Sequence, residues 1–308
     1  MVERHGIGYH EKTLGQLFCD GSARAIVAML LAECEAAGVD LRLAHRVTEL
    51  SRAEAFRVDT DKGSFGAARL VLATGGLSVP RMGATGFTHD AGLHFGLRLT
   101  AMQPGLVPLT FDDDLLAMMR PLAGVSLEVE VSHGRQSFRE AMLFTHRGLS
   151  GPAILQISSC WQAGPIILNL LPGQNAERFL LERKHRRPKA ELRSVLGEVL
   201  PQRLAQALAE TTDTASVQRL ADIPDRALRG LASRLAAWSV TPRGTEGYAK
   251  AEVTRGGIDT RDLSSRTMQA TNVPGLFIIG EAVDVTGWLG GYNFQWAWAS
   301  GWSAGQAV

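Results

Sequence analysis

Apolar and polar positions along the chain fall into three textures. Near the start, Ile26, Val27, Leu30 and Leu31 recur at helical spacing between Asp20 and Ser22, both able to cap, and Gly38, a helix stop. This spacing predicts a helix through about Ala37 with those four side chains inward, followed by a strand at Leu41–Leu43. Alternation over Val47–Leu50, Ala55–Thr60 and Ser64–Ala67, with Asp61-Lys62-Gly63 as a turn, predicts a small antiparallel meander. Two other runs, Arg69–Thr74 (RLVLAT) and Gly275–Gly280 (GLFIIG), are almost continuously apolar and are followed by or end in glycine. Such runs belong to strands covered on both faces, as in a parallel sheet.

From about Pro104 the texture changes. Leu106–Phe111, Ser126–Val131 and Glu140–Phe144 read as strands of a separate β-rich unit, and Tyr248–Val253 as a later strand. Asn175–Glu210 and Ser216–Trp238 read as charged helices inserted into that unit, and Gly291–Ala307 as a terminal helix. Buried strands at both ends imply one domain interrupted by another. Residues 1–103 and 253–308 form the first; residues 104–252 form the inserted one, with its helical part at about 174–238.

Composition narrows the function. There are 32 Lys and Arg against 31 Asp and Glu, which argues against a phosphate-backbone footprint or a polybasic membrane role as the main job. No apolar run approaches the roughly 20 residues of a membrane span, and Met1–His10 lacks a signal-peptide core. Cys19, Cys34 and Cys160 are odd in number and far apart, against a disulfide framework, a zinc knuckle or a dithiol site. A cytoplasmic protein is expected. Glycine supplies 33 of 308 residues, above the average of about 7%, as in chains with many tight turns or a ligand held by backbone.

Candidate chemistry lies at the ends of the apolar runs. In TNVPGLFIIGE (271–281), Gly280 lets a ligand approach the backbone and Glu281 stands at a strand's carboxyl end, where open α/β sheets bind ligands. A carboxylate there accepts strong hydrogen bonds from sugar-alcohol hydroxyls; pairing with a neighbouring Arg is the structural alternative. Gly290 and Gly291 open a helix whose free N–H groups favour an anion or polarised carbonyl. The alternative there is a helix packed under a core, with Trp296, Trp298 and Trp302 as filler. Ala73-Thr74-Gly75-Gly76 closes the first apolar run, although a tight turn explains that glycine pair equally well. His146, before Ser150-Gly151-Pro152, is the best candidate for proton chemistry, against a structural role in its turn.

Three other motifs fail on chemistry. Gly301-Trp302-Ser303-Ala304-Gly305 matches G-x-S-x-G, but no acid or histidine follows it. His10-Glu11 lacks a second histidine, so no metal is expected. The basic run Arg183–Lys189 has no interleaved aromatics and reads as a solvated helix face.

RLVLATGG (69–76), LVPL (106–109), FTHRGLSGPAILQISS (144–159), AEVTRGGIDT (251–260), VPGLFIIGEAVDVTG (273–287) and GGYNFQWAWASGW (290–302) occur in one order. Together they resemble the bacterial BaiN-type flavoproteins, NAD(P)/FAD-dependent oxidoreductases of the aminoacetone-oxidase kind, along essentially the whole chain. The resemblance implies an α/β fold: a glutathione-reductase-type FAD-binding domain interrupted by a β-barrel domain with a helical insertion. It implies that Glu281, beside Gly280, holds the ribityl chain and that Gly290, Gly291, Tyr292 and Asn293 lie against the pyrimidine side of the flavin. It also implies that Val47 faces the adenine and that Ala73, Thr74, Gly75 and Gly76 touch the dinucleotide. The family's G-x-G-x-x-G turn is missing: Gly6-Ile7-Gly8-Tyr9-His10-Glu11 lacks the third glycine and a preceding strand. The expectation is therefore an N-terminally truncated, FAD-dependent oxidoreductase, itself inactive. The complete enzyme would move hydride to or from a small organic substrate, with NAD(P)H a candidate donor and His146 or Tyr292 the proton donor. No nucleic-acid, membrane or metal partner is expected. The alternative is a flavin-free fragment or interaction module.

Overall fold

The computed structural model describes residues 1–12, 15–210 and 219–308. They form two compact units. The first comprises Met1–Gly75, Gly86–Thr100 and Gly257–Val308; the second comprises Gly76–Thr85 and Ala101–Gly256. These divisions fall close to those expected at 103/104 and 252/253.

In chain order, the first unit supplies β1 (Tyr9–Glu11), β2 (Leu17–Cys19), α1 (Arg24–Ala36), β3 (Val47–Arg52), β4 (Phe56–Thr60), β5 (Gly63–Ala67), β6 (Leu70–Leu72) and α2 (Phe87–His94). The second supplies β7 (Gln103–Gly105), β8 (Leu109–Thr110), α3 (Asp113–Met119), β9 (Ser126–His133), β10 (Gln136–Thr145), β11 (Gly148–Ser150), α4 (Pro152–Ser158) and β12 (Ile166–Asn169). It continues with α5 (Ala176–Arg186), α6 (Leu192–Leu196), α7 (Gln202–Glu210), α8 (Asp225–Ala236), β13 (Trp238–Val240), β14 (Gly244–Thr245) and β15 (Val253–Arg255). The first unit then resumes with β16 (Leu276–Ile278) and α9 (Tyr292–Gly305).

In the first unit the two apolar runs meet. β6 and β16 pair in parallel, with Leu70, Val71 and Leu72 opposite Leu276, Phe277 and Ile278. Alternation along β16 divides its side chains between two cores. Leu276 and Ile278 join Leu72, Leu50, Phe56 and Ile258, while Phe277 packs with Met268 and Ala304. Val71 shares a face with Phe277 yet is exposed, so β6 is covered on one face rather than on the expected two. The meander forms as read, in the order β3-β4-β5, all antiparallel.

Three sequence expectations fail here for physical reasons. Leu41–Leu43 forms no strand and lies exposed, with no buried face to hold it against a neighbour. α1 buries Met29 and leaves Val27, Leu30 and Leu31 exposed, so its inner face is rotated from the expected stripe. In α9 the residues four apart at 296, 300 and 304 face inward, with Ser300 and Ala304 buried. Phe294, Trp298 and Trp302 fall on the opposite side and are exposed, Phe294 by 76% and Trp302 by 70%. Phe294, Trp298 and Trp302 therefore form a surface stripe, while Trp296 packs inward against the cores.

The second unit is built on a seven-stranded sheet of order β13-β12-β9-β10-β11-β8-β14, antiparallel throughout. A flat sheet of that width would hold its edges roughly 29 Å apart at about 4.8 Å per strand. Its edge strands β13 and β14, however, are joined by the short segment Thr241–Arg243, a reach of about 15 Å at most. The sheet therefore bends its two edges toward each other; no ladder between β13 and β14 occurs among the described residues. The predicted helical stretch 175–210 is broken into α5, α6 and α7, with Pro188 and Pro201 in the breaks. The stretch predicted from Ser216 is α-helical only over α8, after a 3-10 turn at Leu220–Asp222, residues 216–218 lying outside the described ones. The strand expected at Tyr248–Val253 begins only at Val253.

Candidate functional site

The parallel register of β6 and β16 brings their carboxyl ends level. Ala73–Gly75 and Ile279–Glu281 therefore leave the sheet side by side, with the Ile279 N–H still donating to the Leu72 carbonyl at 3.2 Å. Both exits use glycine in the left-handed region: Gly75 at φ +76° and Gly280 at φ +70°. A crevice outside parallel strand ends is where open α/β sheets take ligands.

α9 fixes the second exit. The Gly280 N–H donates to the buried Ser300 hydroxyl at 2.9 Å, and the Trp296 indole N–H donates to the Gly280 carbonyl at 3.0 Å. With its polar groups held from α9, Gly280 serves the turn, and Glu281 follows it half-buried. α2 supports the first exit through the Thr74 and Thr88 hydroxyls, 2.7 Å apart. His89, next along α2, is 1% exposed, and neither ring nitrogen has a hydrogen-bond partner.

The glycine pair before α9 also occupies positive φ, Gly290 at +125° and Gly291 at +88°, and no side chain caps the helix. Tyr292 points out, 60% exposed. The Asn293 amide closes the loop instead: its oxygen accepts the Gly287 N–H at 2.8 Å and its nitrogen donates to the Gly287 carbonyl at 3.1 Å.

Gly280, Glu281, Ala73, Thr74 and Gly75 are thus brought together by the sheet, and Trp296 and Ser300 tie α9 to the same turn. Val47 opens β3 and pairs with Thr60. Gly76 begins the second unit, where the Leu77 and Ser78 N–H groups donate to the buried Thr254 hydroxyl at 2.8 and 3.2 Å. His146 also belongs to the second unit, exposed in the turn joining β10 to β11. The Arg183–Lys189 run is largely spent on ion pairs: Arg183 and Arg187 with Glu198, and Lys184 with Asp225. Among the described residues no three His, Cys, Asp or Glu side chains cluster as metal ligands, and no helix is long and apolar enough to cross a membrane.

The sequence does not single out Thr88, His89, Thr254 or Ser300, and it offers Trp296 only as filler. Thr254, Trp296 and Ser300 bond backbone beside glycine turns, Thr88 meets the Thr74 hydroxyl, and His89 is buried with neither ring nitrogen bonded.

Comparison with known proteins covers the whole length. A family profile described as "HI0933-like protein Rossmann domain" matches residues 1–307. The "Ribosomal RNA dihydrouridine synthase" of Escherichia coli (strain K12) is 49% identical over 99% of this chain and 77% of its own. The protein of the same name from Haemophilus influenzae is 40% identical over 100% of this chain and 78% of its own. The "3-dehydro-bile acid delta(4,6)-reductase" of Clostridium scindens is 28% identical over 93% and 73%.

Proposed function

Because the chain belongs to the HI0933-like Rossmann-domain family, we propose that it works as a flavin-dependent reductase of carbon–carbon double bonds conjugated to a carbonyl. The two relatives' names share that chemistry. Dihydrouridine is uridine with its ring double bond, conjugated to a carbonyl, saturated; a 3-dehydro-delta(4,6) bile acid is a conjugated dienone. The observation that carries the reading furthest is the 49% identity along 99% of the chain, and it favours a uridine of ribosomal RNA as substrate. Charge is compatible: the second unit has 20 Lys and Arg against 16 Asp and Glu, and the first has 12 against 15. This departs from the expectation of a small-molecule substrate and no nucleic acid. The near-balanced charge of the whole chain and the Clostridium relative support the second reading, a small enone.

The residues present fit FAD on three observations. Two glycine exits at parallel strand ends leave room for a dinucleotide against backbone, Glu281 offers a carboxylate to ribityl hydroxyls, and an uncapped helix N-terminus follows Gly290-Gly291. When bound, the flavin supplies the hydride, with NAD(P)H as its source of electrons. The protein's own share is to hold the cofactor at the strand ends and to supply a proton to the α carbon, from His146 or Tyr292.

An equilibrium titration of FAD followed by flavin fluorescence tests the cofactor. Binding is expected to be weak, since no G-x-G-x-x-G turn occurs in the 308 residues, and weaker again in Glu281→Ala. No saturable binding at millimolar FAD, or binding indifferent to Glu281→Ala, would overturn the reading.

A further inference from the structure

α2 sets two adjacent buried residues beneath the ends of the parallel strands. Thr88 supports Thr74 after β6; His89 stands against Ala282, in the turn after β16 that presents Glu281. The Ala282 carbonyl already accepts the Ile258 N–H at 2.8 Å. Gly257 permits close backbone approach there, since a Cβ at that position would sit 2.4 Å from the same oxygen. A carbonyl has two lone pairs, so one remains for the imidazole. Yet both ring nitrogens lack a properly formed bond. Buried polar groups without partners are rare in native proteins, and one beside a ligand site calls for a physical explanation.

We propose that His89 is a positioning residue: its neutral ring donates to the Ala282 carbonyl when a ligand occupies the strand ends, setting the Gly280–Ala282 turn and aiming Glu281 at the ligand's hydroxyls. The ligand class rests on the flavin reading above. Burial pushes the imidazole below its ordinary pKa, against the raising pull of the Ala282 backbone and then of the Asp90 and Glu281 carboxylates. Asp90 on α2 and Glu281 after β16 are the ionised groups acting on it; the neighbours Thr74 and Thr88 carry no charge. The neutral ring is thus the resting form. In acid, an imidazolium would draw the Glu281 carboxylate to itself and away from the ligand.

Trp296 gives a local readout, because its indole N–H bonds to Gly280 in the same turn. The protein is labelled with ¹⁵N-tryptophan, and the Trp296 signal is assigned by its loss in Trp296→Phe. In the wild type this signal should shift on adding FAD and should titrate below the ordinary imidazole value of about 6.5. His89→Gln, whose amide can donate to the same carbonyl, should keep the FAD-induced shift and lose the titration. His89→Leu should lose both and bind FAD about tenfold more weakly. His89→Leu behaving as wild type, or His89→Gln still titrating, would overturn the proposal. If FAD binds to none of the proteins while the titration still depends on His89, the flavin reading fails and control of the turn by His89 stands.

Discussion

Ser300→Ala isolates the clamp on Gly280. The Ser300 hydroxyl accepts the Gly280 N–H at 2.9 Å and is 1% exposed, so water cannot replace it. Two effects of opposite sign compete. Alanine is the better residue inside a helix, by about 0.5 kcal/mol. An amide left buried without an acceptor costs about 1–3 kcal/mol, and an N–H has only one proton to offer. The second effect is larger, so the variant should be less stable by about 0.5–2.5 kcal/mol. For a domain of this size that corresponds to a fall in melting temperature of roughly 1–10 °C, read by thermal or urea unfolding. FAD affinity should fall with it, because Glu281 follows the loosened residue. An unchanged or raised melting temperature would refute the reasoning, since helix propensity alone would then account for Ser300.

Gly257→Ala should cost at least about 1–3 kcal/mol, because φ is +141° and the added Cβ meets backbone at 2.4 Å; a urea midpoint equal to wild type would contradict this. His146→Ala and Tyr292→Phe, measured side by side, should identify the proton donor as the one whose loss slows turnover by about 10²–10⁴-fold with flavin content unchanged. If neither slows, both assignments are wrong. Hydrogen bonds from Arg261 lower the Asp259 pKa, and those from Arg98 lower that of Asp262. Their stabilising contribution is therefore complete above the unfolded carboxylate value of about 3.9 and is lost as pH falls through the folded values. His89, with a lowered pKa, binds fewer protons folded than unfolded, so stability should already decline below about pH 6.5. Urea midpoints across pH should show both windows, with only the upper one removed by His89→Gln. Finally, Phe294→Glu with Trp302→Glu should reduce dye binding and self-association while moving unfolding by no more than about 0.5 kcal/mol, since both side chains are exposed.

What was legible in the sequence was whatever carries a period or a run. The meander, the two apolar strands and the terminal helix are periodic or continuous, and all four form. The place of Glu281 after β16 was legible because a carboxylate after an apolar run and a glycine stands out against its neighbours. The face a helix presents was not legible. The pattern of α9 admits two stripes, and packing of Phe277 against Ala304 selects the small one, leaving Phe294, Trp298 and Trp302 outside. α1 turns the same way around Met29. The residues that hold the turns were also hidden, because each acts through a single hydroxyl: Thr88 on the Thr74 hydroxyl 14 positions away, Ser300 and Thr254 on backbone N–H groups 20 and 177 positions away. No local pattern records such a contact. His89 was invisible for the same reason, being significant only through its burial and its missing partners.

Reduction of a uridine in ribosomal RNA by a protein that holds flavin at these strand ends is tested most directly in ribosomal RNA from cells with and without the gene, digested to nucleosides and analysed by mass spectrometry. Dihydrouridine should be lost without the gene, return with the wild-type gene and return poorly with Glu281→Ala. Dihydrouridine that is unchanged when the gene is removed would contradict the account.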